Sequence, residues 1–321
     1  MKRPKVHLFF LGGTTLDERD RPGSTVRREA DVERWLGNIS EMDIIAEADG
    51  TFITAGTRGV TLTDWRRLAA AIKAVYTAYD GFVVVHQLES IPADAMALSL
   101  VLQKLDKPVV FVGSPFLTAE ERKSGRVSTW PSTREYGAKA SIINAVQAAV
   151  SDVAEVVTVF GSHIFRGRTV NLTRDPDGRS GFSGLTLGKI DFGLRFLGSQ
   201  RTRGQRTLQY RPEFDPHVAM IEFVPGMDLL NILTTPAHGY VVAAESVGAV
   251  VGPLRSLAEQ VSRDVPIVLI STGPMVQTLT PNMVSLTGWS RHQAVVSLMW
   301  VLAQASTLAK RKRLLTNLAA A

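Results

Sequence analysis

The sequence contains no cysteine, which excludes disulfide bonds and thiolate metal sites. It also lacks an apolar run close to the roughly 20 residues that a membrane-spanning helix needs. The longest run near the C-terminus, residues 294–303, is short and is interrupted by Ser297. The apolar stretch after Met1–Lys5 is too short for a secretory signal and lacks a small-residue cleavage site. These absences predict a cytoplasmic protein without a membrane partner.

The net charge of +6 raises the possibility of a nucleic-acid partner, but aromatic residues make up only 7% of the 321 residues. Two basic clusters, Arg201–Arg206 and Lys310–Arg313, are not interleaved with the aromatic side chains on which bases stack. A solvated linker and a basic helix C-terminus explain these clusters more simply. Nucleic acid is therefore not expected as a partner.

Metal-ligand spacing is absent along the chain. The histidines are scattered, and they are His7, His86, His163, His217, His238 and His292. Histidine metal sites usually show as short repeated spacings in the sequence. The sequence predicts neither a metal site nor a cofactor.

Apolar runs of strand length alternate with amphipathic stretches of helix length along the chain. This alternation predicts right-handed βαβ units and an α/β fold with a mostly parallel sheet. Thr63 is the expected N-cap of the helix that contains Leu68 and Ile72. The pattern stops at Gly198–Pro216, which is rich in Gly, Arg, Gln and Thr, and then restarts. We therefore predict an N-terminal domain over residues 1–197, a linker over 198–216 and a smaller C-terminal domain over 217–321.

Two predicted strands end in small or polar residues, and both ends are candidates for a binding site. The first strand ends in Gly12-Gly13-Thr14-Thr15, and a later one ends in His86-Gln87-Leu88-Glu89-Ser90. In an open α/β sheet, ligands bind outside the carboxyl ends of the strands. The paired glycines permit a tight turn and a close approach to a ligand. This segment is not a dinucleotide-binding motif, because the third glycine and the following helix of that motif are missing. The alternative interpretation of the two glycines is a plain turn.

His86, Glu89 and Ser90 together have the residue types of a Ser-His-acid triad. Members of such a triad usually come from separate elements, and residues this close in sequence rarely fold back on one another. A hydrogen-bonded core histidine is therefore the favoured interpretation of His86.

The arrangement of these motifs resembles the bacterial-type L-asparaginase/glutaminase family over nearly the whole chain. Gly12–Thr15 stands where that family has Gly-Gly-Thr-Ile, and Asp80–Ser90 stands where it has Asp-Gly-Phe-Val-Val-Thr-His-Gly-Thr-Asp-Thr. Further similar segments are Ala55–Arg58, Asp106–Ser114, Asn144–Val146, Gly161–Arg168 and Gly288–Ser290. The resemblance implies an asparaginase-like two-domain fold. Its larger N-terminal domain has a mostly parallel sheet flanked by helices, and its smaller C-terminal domain is a flavodoxin-like α/β domain.

The resemblance also implies a set of site residues. Thr14 corresponds to the family's nucleophile, and Glu89 corresponds to the aspartate of its second catalytic set. The substrate site would be lined by Gly12, Gly13, Thr57, Arg58 and Leu88. Arg58 replaces a glutamine or aspartate of the family, and its guanidinium offers a fork that fits a carboxylate or phosphate.

Several family residues are replaced in this chain. Leu88 stands where the family has its second threonine, so that hydroxyl is missing. The catalytic lysine becomes Leu172 in a gap-free alignment, or Asn171 if one residue is skipped. Arg174 lies nearby, but a guanidinium cannot give up its proton. Residues 17–28 contain no tyrosine to assist Thr14. These replacements predict that ordinary asparaginase turnover is lost.

Three functions stay open on these grounds. The first is an amidohydrolase that acts on a small carboxamide such as L-asparagine, with Thr14 and Glu89 as catalytic residues. The second is a catalytically silent member that binds a small amide, an amino acid or a protein partner in the old cleft. The third is a subunit of an RNA-linked amidotransferase, although the chain shows no extra N-terminal domain of that branch. The resemblance further implies self-association to a dimer or tetramer, with residues 273–286 of a neighbour reaching the site.

Overall fold

A computed structural model describes residues 3–12, 14–15, 25–54, 59–114, 131–174, 180–191, 193–232, 236–245, 247–271 and 280–320. The chain divides into two compact units, Met1–Pro212 and Glu213–Ala321. The division falls inside the segment 198–216 that the composition marks as a linker. The first part of that segment belongs to the first unit, since Gln209–Tyr210 pairs antiparallel with Leu102–Gln103.

The first unit alternates strands and helices over most of its length. Its described strands are β1 (Lys5–Leu11), β2 (Thr14–Thr15), β3 (Thr25–Val26), β4 (Glu47–Thr54), β5 (Gly81–Gln87), β6 (Leu102–Gln103), β7 (Val109–Ser114), β8 (Val156–Phe160), β9 (His163–Arg166), β10 (Asn171–Arg174), β11 (Ser180–Ser183), β12 (Thr186–Ile190), β13 (Leu194–Phe196) and β14 (Gln209–Tyr210). Its described helices are α1 (Val32–Gly37), α2 (Met42–Ile45), α3 (Leu62–Val75), α4 (Ile91–Val101) and α5 (Pro131–Ala149). Short 3-10 helices cover Glu29–Asp31, Leu88–Ser90 and Gly167–Thr169.

The main sheet has eight strands in the order β13-β12-β9-β8-β7-β5-β1-β4. The five strands from β8 to β4 are parallel, and β9, β12 and β13 add an antiparallel end. The mostly parallel α/β sheet that the sequence predicts is confirmed. The antiparallel end comes from a part of the chain without long helices, where hairpins replace crossovers.

Helices cover both faces of the main sheet. Alternate residues of the central strands, such as Val6, Leu8 and Phe10 of β1, join one core with apolar residues of α1, α2 and α5. On the other face, α3 supplies the buried side chains of Leu68 and Ile72. The central strands are apolar on both sides because both faces are covered.

The N-cap of α3 is Thr61, so the prediction of Thr63 is wrong. The Thr61 hydroxyl accepts from the Asp64 backbone N–H at 3.3 Å, and the Asp64 carboxylate accepts from the Thr61 N–H at 3.0 Å. This reciprocal box needs a carboxylate or amide three residues after the cap. Asp64 meets that need for Thr61, whereas the residue three after Thr63 is Arg66.

The second unit is a four-stranded parallel sheet in the order β15-β16-β17-β18. Its described strands are β15 (Val218–Phe223), β16 (Gly239–Ala244), β17 (Ile267–Ser271) and β18 (Met283–Thr287). Its described helices are α6 (Val247–Gln260), α7 (Arg291–Gln304) and α8 (Leu308–Ala320), with a 3-10 helix over Leu229–Ile232. No helix in the part of the chain that the structure describes is long and apolar enough to cross a membrane.

Three details of the second unit differ from the sequence prediction. The apolar pattern predicts a single C-terminal helix from Ser290 to about Asn317, whereas the structure has two helices, α7 and α8, separated at residues 305–307. The sequence pattern predicts a helix over Leu254–Val261, after Pro253, whereas α6 already begins at Val247 and includes Pro253. Strand β18 was not predicted.

Candidate functional site

The carboxyl ends of the central strands lie side by side at one edge of the main sheet. Leu11, the last residue of β1, pairs with His86 of β5 and with Thr54 of β4. His86 in turn pairs with Gly113 of β7. This register places the two predicted strand ends, Gly12 and the turn that begins at Leu88, next to each other.

Gly12 turns the chain sharply at the end of β1. Its φ of 108° lies in the region that favours glycine. Its N–H donates to the carbonyl of Thr54 at 2.8 Å, which ties the turn to β4. A Cβ at this position would lie 3.3 Å from Nδ1 of His86 and 3.5 Å from Cγ of Gln87. Conformation and space therefore both favour glycine at this position.

Leu88 points into the protein. Its side chain is only 2% exposed, at the start of the 3-10 helix Leu88–Ser90. It lies over Gly113, where an added Cβ would come 2.6 Å from Cδ1 of Leu88 and 3.0 Å from Cδ1 of Ile91. The position that the resemblance assigns to a second threonine thus holds an apolar side chain packed over β7. A substrate-binding role for Leu88 stays a prediction.

Glu89 is exposed at the same turn. Its carboxylate can accept hydrogen bonds or bind a proton, but its neighbour Leu88 offers neither donor nor acceptor. The catalytic role of Glu89 stays a prediction.

Beneath this edge, His86 belongs to a buried polar network. His86 is 1% exposed and Asp94 of α4 is 2% exposed. Nε2 of His86 donates to Oδ2 of Asp94 at 2.5 Å, and Nε1 of Trp65 donates to Oδ1 of the same carboxylate at 2.5 Å. The prediction of a core histidine is confirmed by its burial and by this bond. Its Nδ1 is buried without a hydrogen-bond partner among the described residues, and it lies beside Gly12.

Asp94 and Trp65 were not among the residues that the sequence predicts for this site. One signal was available, because Asp94 is the only charged residue of α4, Ile91–Val101, which is otherwise almost wholly apolar. A carboxylate in such a helix must find partners if it is buried. The spacing of 29 residues between Trp65 and Asp94 gave no comparable signal.

The residues that the resemblance aligns with the family's lysine lie on β10, which pairs antiparallel with β11. Asn171 and Leu172 open β10 and are half-buried, and Leu172 pairs with Phe182 of β11. Neither side chain can carry a proton. Arg168 precedes them in the 3-10 helix, and burial, followed by the nearby charges of Arg201 and Arg166, lowers its pKa. A guanidinium nevertheless stays protonated at any ordinary pH, so Arg168 does not replace a lysine as a proton carrier.

Other predicted site residues lie outside the described residues. These are Gly13, Thr57 and Arg58, and of Thr14 only the backbone is described. The backbone of Thr14, two residues after Gly12, pairs antiparallel with Val26 of β3. Residues 272–279, which include the first half of the segment 273–286 expected to reach a neighbour's site, also lie outside the described residues.

Two solved structures that share this overall fold are L-asparaginases. The chain matches L-asparaginase I from Vibrio cholerae with a TM-score of 0.77 and 20% identity, over 97% of this chain and 96% of that one. It matches the thermostable L-asparaginase from Thermococcus kodakarensis with a TM-score of 0.72 and 17% identity, at the same coverage. These likenesses establish an asparaginase-like fold.

Sequence relatives and a family model define the family. The model described as asparaginase, N-terminal, matches residues 5–191. L-asparaginase 1 of Escherichia coli is 25% identical over 77% of this chain and 72% of its own length. A subunit of the glutamyl-tRNA(Gln) amidotransferase of Methanosarcina acetivorans is 27% identical over 74% of this chain, which spans 56% of that relative. The chain belongs to the asparaginase family.

Proposed function

We propose that the chain binds a small carboxamide or amino acid, such as L-asparagine, at the carboxyl edge of its main sheet without ordinary asparaginase turnover. Binding is supported by family membership and by the turn at Gly12, which brings the backbone of Thr14 to this edge. The loss of turnover is supported above all by one observation. Leu88 is 2% exposed and packed over Gly113, so its position offers no hydroxyl to a substrate.

The chemistry of amide hydrolysis gives this observation its weight. A threonine hydroxyl is a weak nucleophile until a neighbouring base removes its proton. General acid–base help contributes roughly 10²–10⁴ in rate. Leu88, Asn171 and Leu172 offer no group that titrates, so among the residues that the resemblance assigns to the second catalytic set only Glu89 could supply that help. The loss of several members of a catalytic set leaves little of the rate.

The first experiment measures ammonia release from L-asparagine and L-glutamine by the purified chain, beside a Thr14→Ala variant. We expect release at millimolar substrate to be indistinguishable between the two proteins. Calorimetry with L-asparagine, L-aspartate and L-glutamine should detect binding to the wild-type chain. Robust release that vanishes in Thr14→Ala would overturn the proposal in favour of an active amidohydrolase. Absence of both release and binding would overturn the binding site itself.

A restoration experiment tests the reason for lost turnover. One variant carries Leu88→Thr, Glu89→Asp and Leu172→Lys, and a matched variant carries Leu88→Val with the same two other changes. Valine has the shape of threonine without the hydroxyl. We expect about a hundredfold or greater rise in ammonia release only in the threonine variant. Equal rates in the two variants would contradict the role assigned to the missing hydroxyl.

A second candidate function follows from the amidotransferase relatives. The matching glutamyl-tRNA(Gln) amidotransferase subunits of Methanosarcina acetivorans and Methanosarcina mazei are each 27% identical to this chain, which spans 56% and 53% of their lengths. If this chain acts on charged tRNA, its affinity for tRNA should fall steeply as salt rises, because phosphate contacts release counterions. We expect weak binding with a shallow salt dependence. A steep dependence with submicromolar affinity near 150 mM salt would favour the amidotransferase function.

Self-association is the remaining part of the proposal. We propose that the chain forms a dimer or tetramer, as its resemblance to the family implies. Light scattering coupled to gel filtration should give a mass of two or four times 34.9 kDa. A monomer at micromolar concentration would contradict it.

A further inference from the structure

Two histidines that lie 21 residues apart in sequence are neighbours at the amino edge of the second unit's sheet. His217 immediately precedes β15, and His238 immediately precedes β16. The strands are parallel, with Val218 paired to Gly239, and the His238 N–H donates to the His217 carbonyl at 2.7 Å. Their ring centroids are 4.7 Å apart. The strand register, and not a chance contact of long side chains, sets the two imidazoles side by side.

Asp215 completes this cluster. Its Oδ1 accepts from the His217 N–H and lies 2.9 Å from Nδ1 of the same residue, while its Oδ2 lies 2.7 Å from Nδ1 of His238. Its own N–H donates to the Met299 carbonyl of α7 at 2.8 Å. The carboxylate is therefore held between the two rings by backbone contacts to a strand and a helix.

We propose that Asp215, His217 and His238 form a binding site for a divalent transition-metal ion of the zinc type. Their ligand atoms, one from each residue, all lie within 4.8 Å of one another. Zinc binds histidine nitrogen and carboxylate oxygen at about 2.0–2.2 Å, so two ligands of one ion are at most about 4.3 Å apart. Both imidazoles are more than half exposed, and a small rotation of either ring closes the remaining distance.

The ligand set selects the class of metal. Two imidazoles and one carboxylate suit Zn²⁺, Ni²⁺ or Co²⁺, with water in the open positions. Magnesium and calcium prefer oxygen ligands and are not expected to bind. The exposure of the two rings leaves room for those waters and gives the ion a path to the site.

The cluster belongs to the second unit, whereas the proposed amide site belongs to the first unit. It lies where β15 and β16 begin, whereas ligands of α/β sheets bind where strands end. An ion here would join the starts of two neighbouring strands and would therefore stabilise the folded second unit by mass action. Spacing along the chain could not predict it, because the pairing of β15 with β16 creates the juxtaposition.

The alternative is a hydrogen-bonded turn that needs no ion. The Asp215 carboxylate bonds the N–H two residues later, a common arrangement in turns. That arrangement explains the contact with His217 but does not require an imidazole at His238. Binding of metal distinguishes the two interpretations.

The experiment titrates Zn²⁺ into the full chain, free of any histidine tag and stripped of metal with a chelator. The variants are His217→Ala, His238→Ala and Asp215→Asn, and the matched control is His292→Ala, an exposed histidine of α7 outside the cluster. We expect one equivalent of Zn²⁺ to bind and to raise Tm. Each cluster variant should weaken that binding by more than about tenfold. Removing even a residue that only hydrogen-bonds a metal ligand usually lowers metal affinity by about tenfold or more. His292→Ala should bind as the wild type does.

Cobalt supplies an independent signature of coordination. Co²⁺ at one equivalent should give visible absorption bands of a nitrogen- and oxygen-ligated ion in the wild-type chain and in His292→Ala, and Mg²⁺ should not compete. Circular dichroism of each variant checks that the fold is retained. Failure of the wild type to bind one equivalent, or undiminished binding by folded cluster variants, would overturn the proposal and leave the turn as the explanation.

Discussion

The main sheet holds two histidine–aspartate pairs, one near each end of its central strands, and they differ in burial. His86, near the carboxyl end of β5, pairs with Asp94, and the two side chains are 0% and 2% exposed. His7, near the amino end of β1, pairs with Asp49, whose side chain is 58% exposed while that of His7 is 7% exposed. The same two residue types thus form a sealed pair at the candidate site and an open pair at the opposite edge.

Burial decides what each pair contributes. A buried carboxylate that loses a partner has no water to replace it, whereas an exposed one does. Asp94 is bound by His86 and by Trp65, and both bonds lie inside the protein. We infer that the sealed pair fixes the ring of His86 beneath Gly12, while the open pair adds little to stability. This difference gives the carboxyl edge of the main sheet a rigid base at His86.

The largest effect is expected from a substitution that breaks the sealed pair. Asp94→Ala should lower the free energy of unfolding by about 2–6 kcal/mol, because it leaves the buried donors of His86 and Trp65 without an acceptor, at about 1–3 kcal/mol each. The matched change Asp49→Ala at the open pair should cost about 1 kcal/mol. Asp49 is exposed, so water can take its place as the hydrogen-bond acceptor for His7 and Tyr79. Urea unfolding of both variants at pH 7 measures the difference. Equal losses would mean that burial does not separate the two pairs.

Most of the main sheet could be predicted because its signals are local. Runs such as Val6–Leu11 and Phe82–His86 are apolar over the length of a strand and stop abruptly, which marks both the element and its carboxyl end. The cap of α3 could also have been found from sequence, since Thr61 and Asp64 have the spacing of a capping box. Strand β18 carries a weaker pattern, with Ser285 in its middle, and was missed.

Apart from the lone charge of Asp94 in the apolar helix α4, the polar networks gave no signal in the sequence, because contacts between separate elements create them. Asp94 lies 8 residues from His86 but 29 from Trp65, and His217 meets His238 through the register of two strands. The resemblance to a family named Leu88 as a replaced threonine, but only the structure places its side chain over Gly113. Sequence therefore predicted a candidate site at two strand ends, and three-dimensional packing was needed to describe the side chains around those ends.

A second, smaller effect is expected when the other hydrogen bond of Asp94, the one from Trp65, is removed. Trp65→Phe removes the Nε1–H that donates to Asp94 and leaves that oxygen unsatisfied, which costs about 1–3 kcal/mol beyond lost packing. Trp35→Phe is the matched control, because Trp35 is fully buried and its Nε1 has no hydrogen-bond partner among the described residues. Both changes delete the same atoms. The additional loss of unfolding free energy in Trp65→Phe therefore measures the contribution of the hydrogen bond to Asp94. Equal losses in urea unfolding would show that the bond contributes nothing.

The smallest effect concerns the open pair and depends on pH. The Tyr79 hydroxyl donates to Oδ2 of Asp49 at 2.6 Å. Burial, followed by this bond and the charge of Asp49, raises the pKa of Tyr79 to about 12 from its ordinary value of 10.0. The folded state therefore holds the phenol proton more tightly than the unfolded state. The resulting stability is fully present below pH 10 and is lost as pH rises from about 10 to about 12.

Tyr79→Phe should remove this component of the pH dependence. At pH 7 the change should cost at most about 1 kcal/mol, since it deletes one hydrogen bond of a partly exposed network. Between pH 10 and 11, the unfolding free energy of the wild type should fall more steeply than that of the variant. Asp49→Asn is the companion change, because it removes the charge and should bring the phenol titration at 295 nm towards its ordinary range. Parallel pH profiles for the wild type and Tyr79→Phe would contradict the coupling of Tyr79 to Asp49.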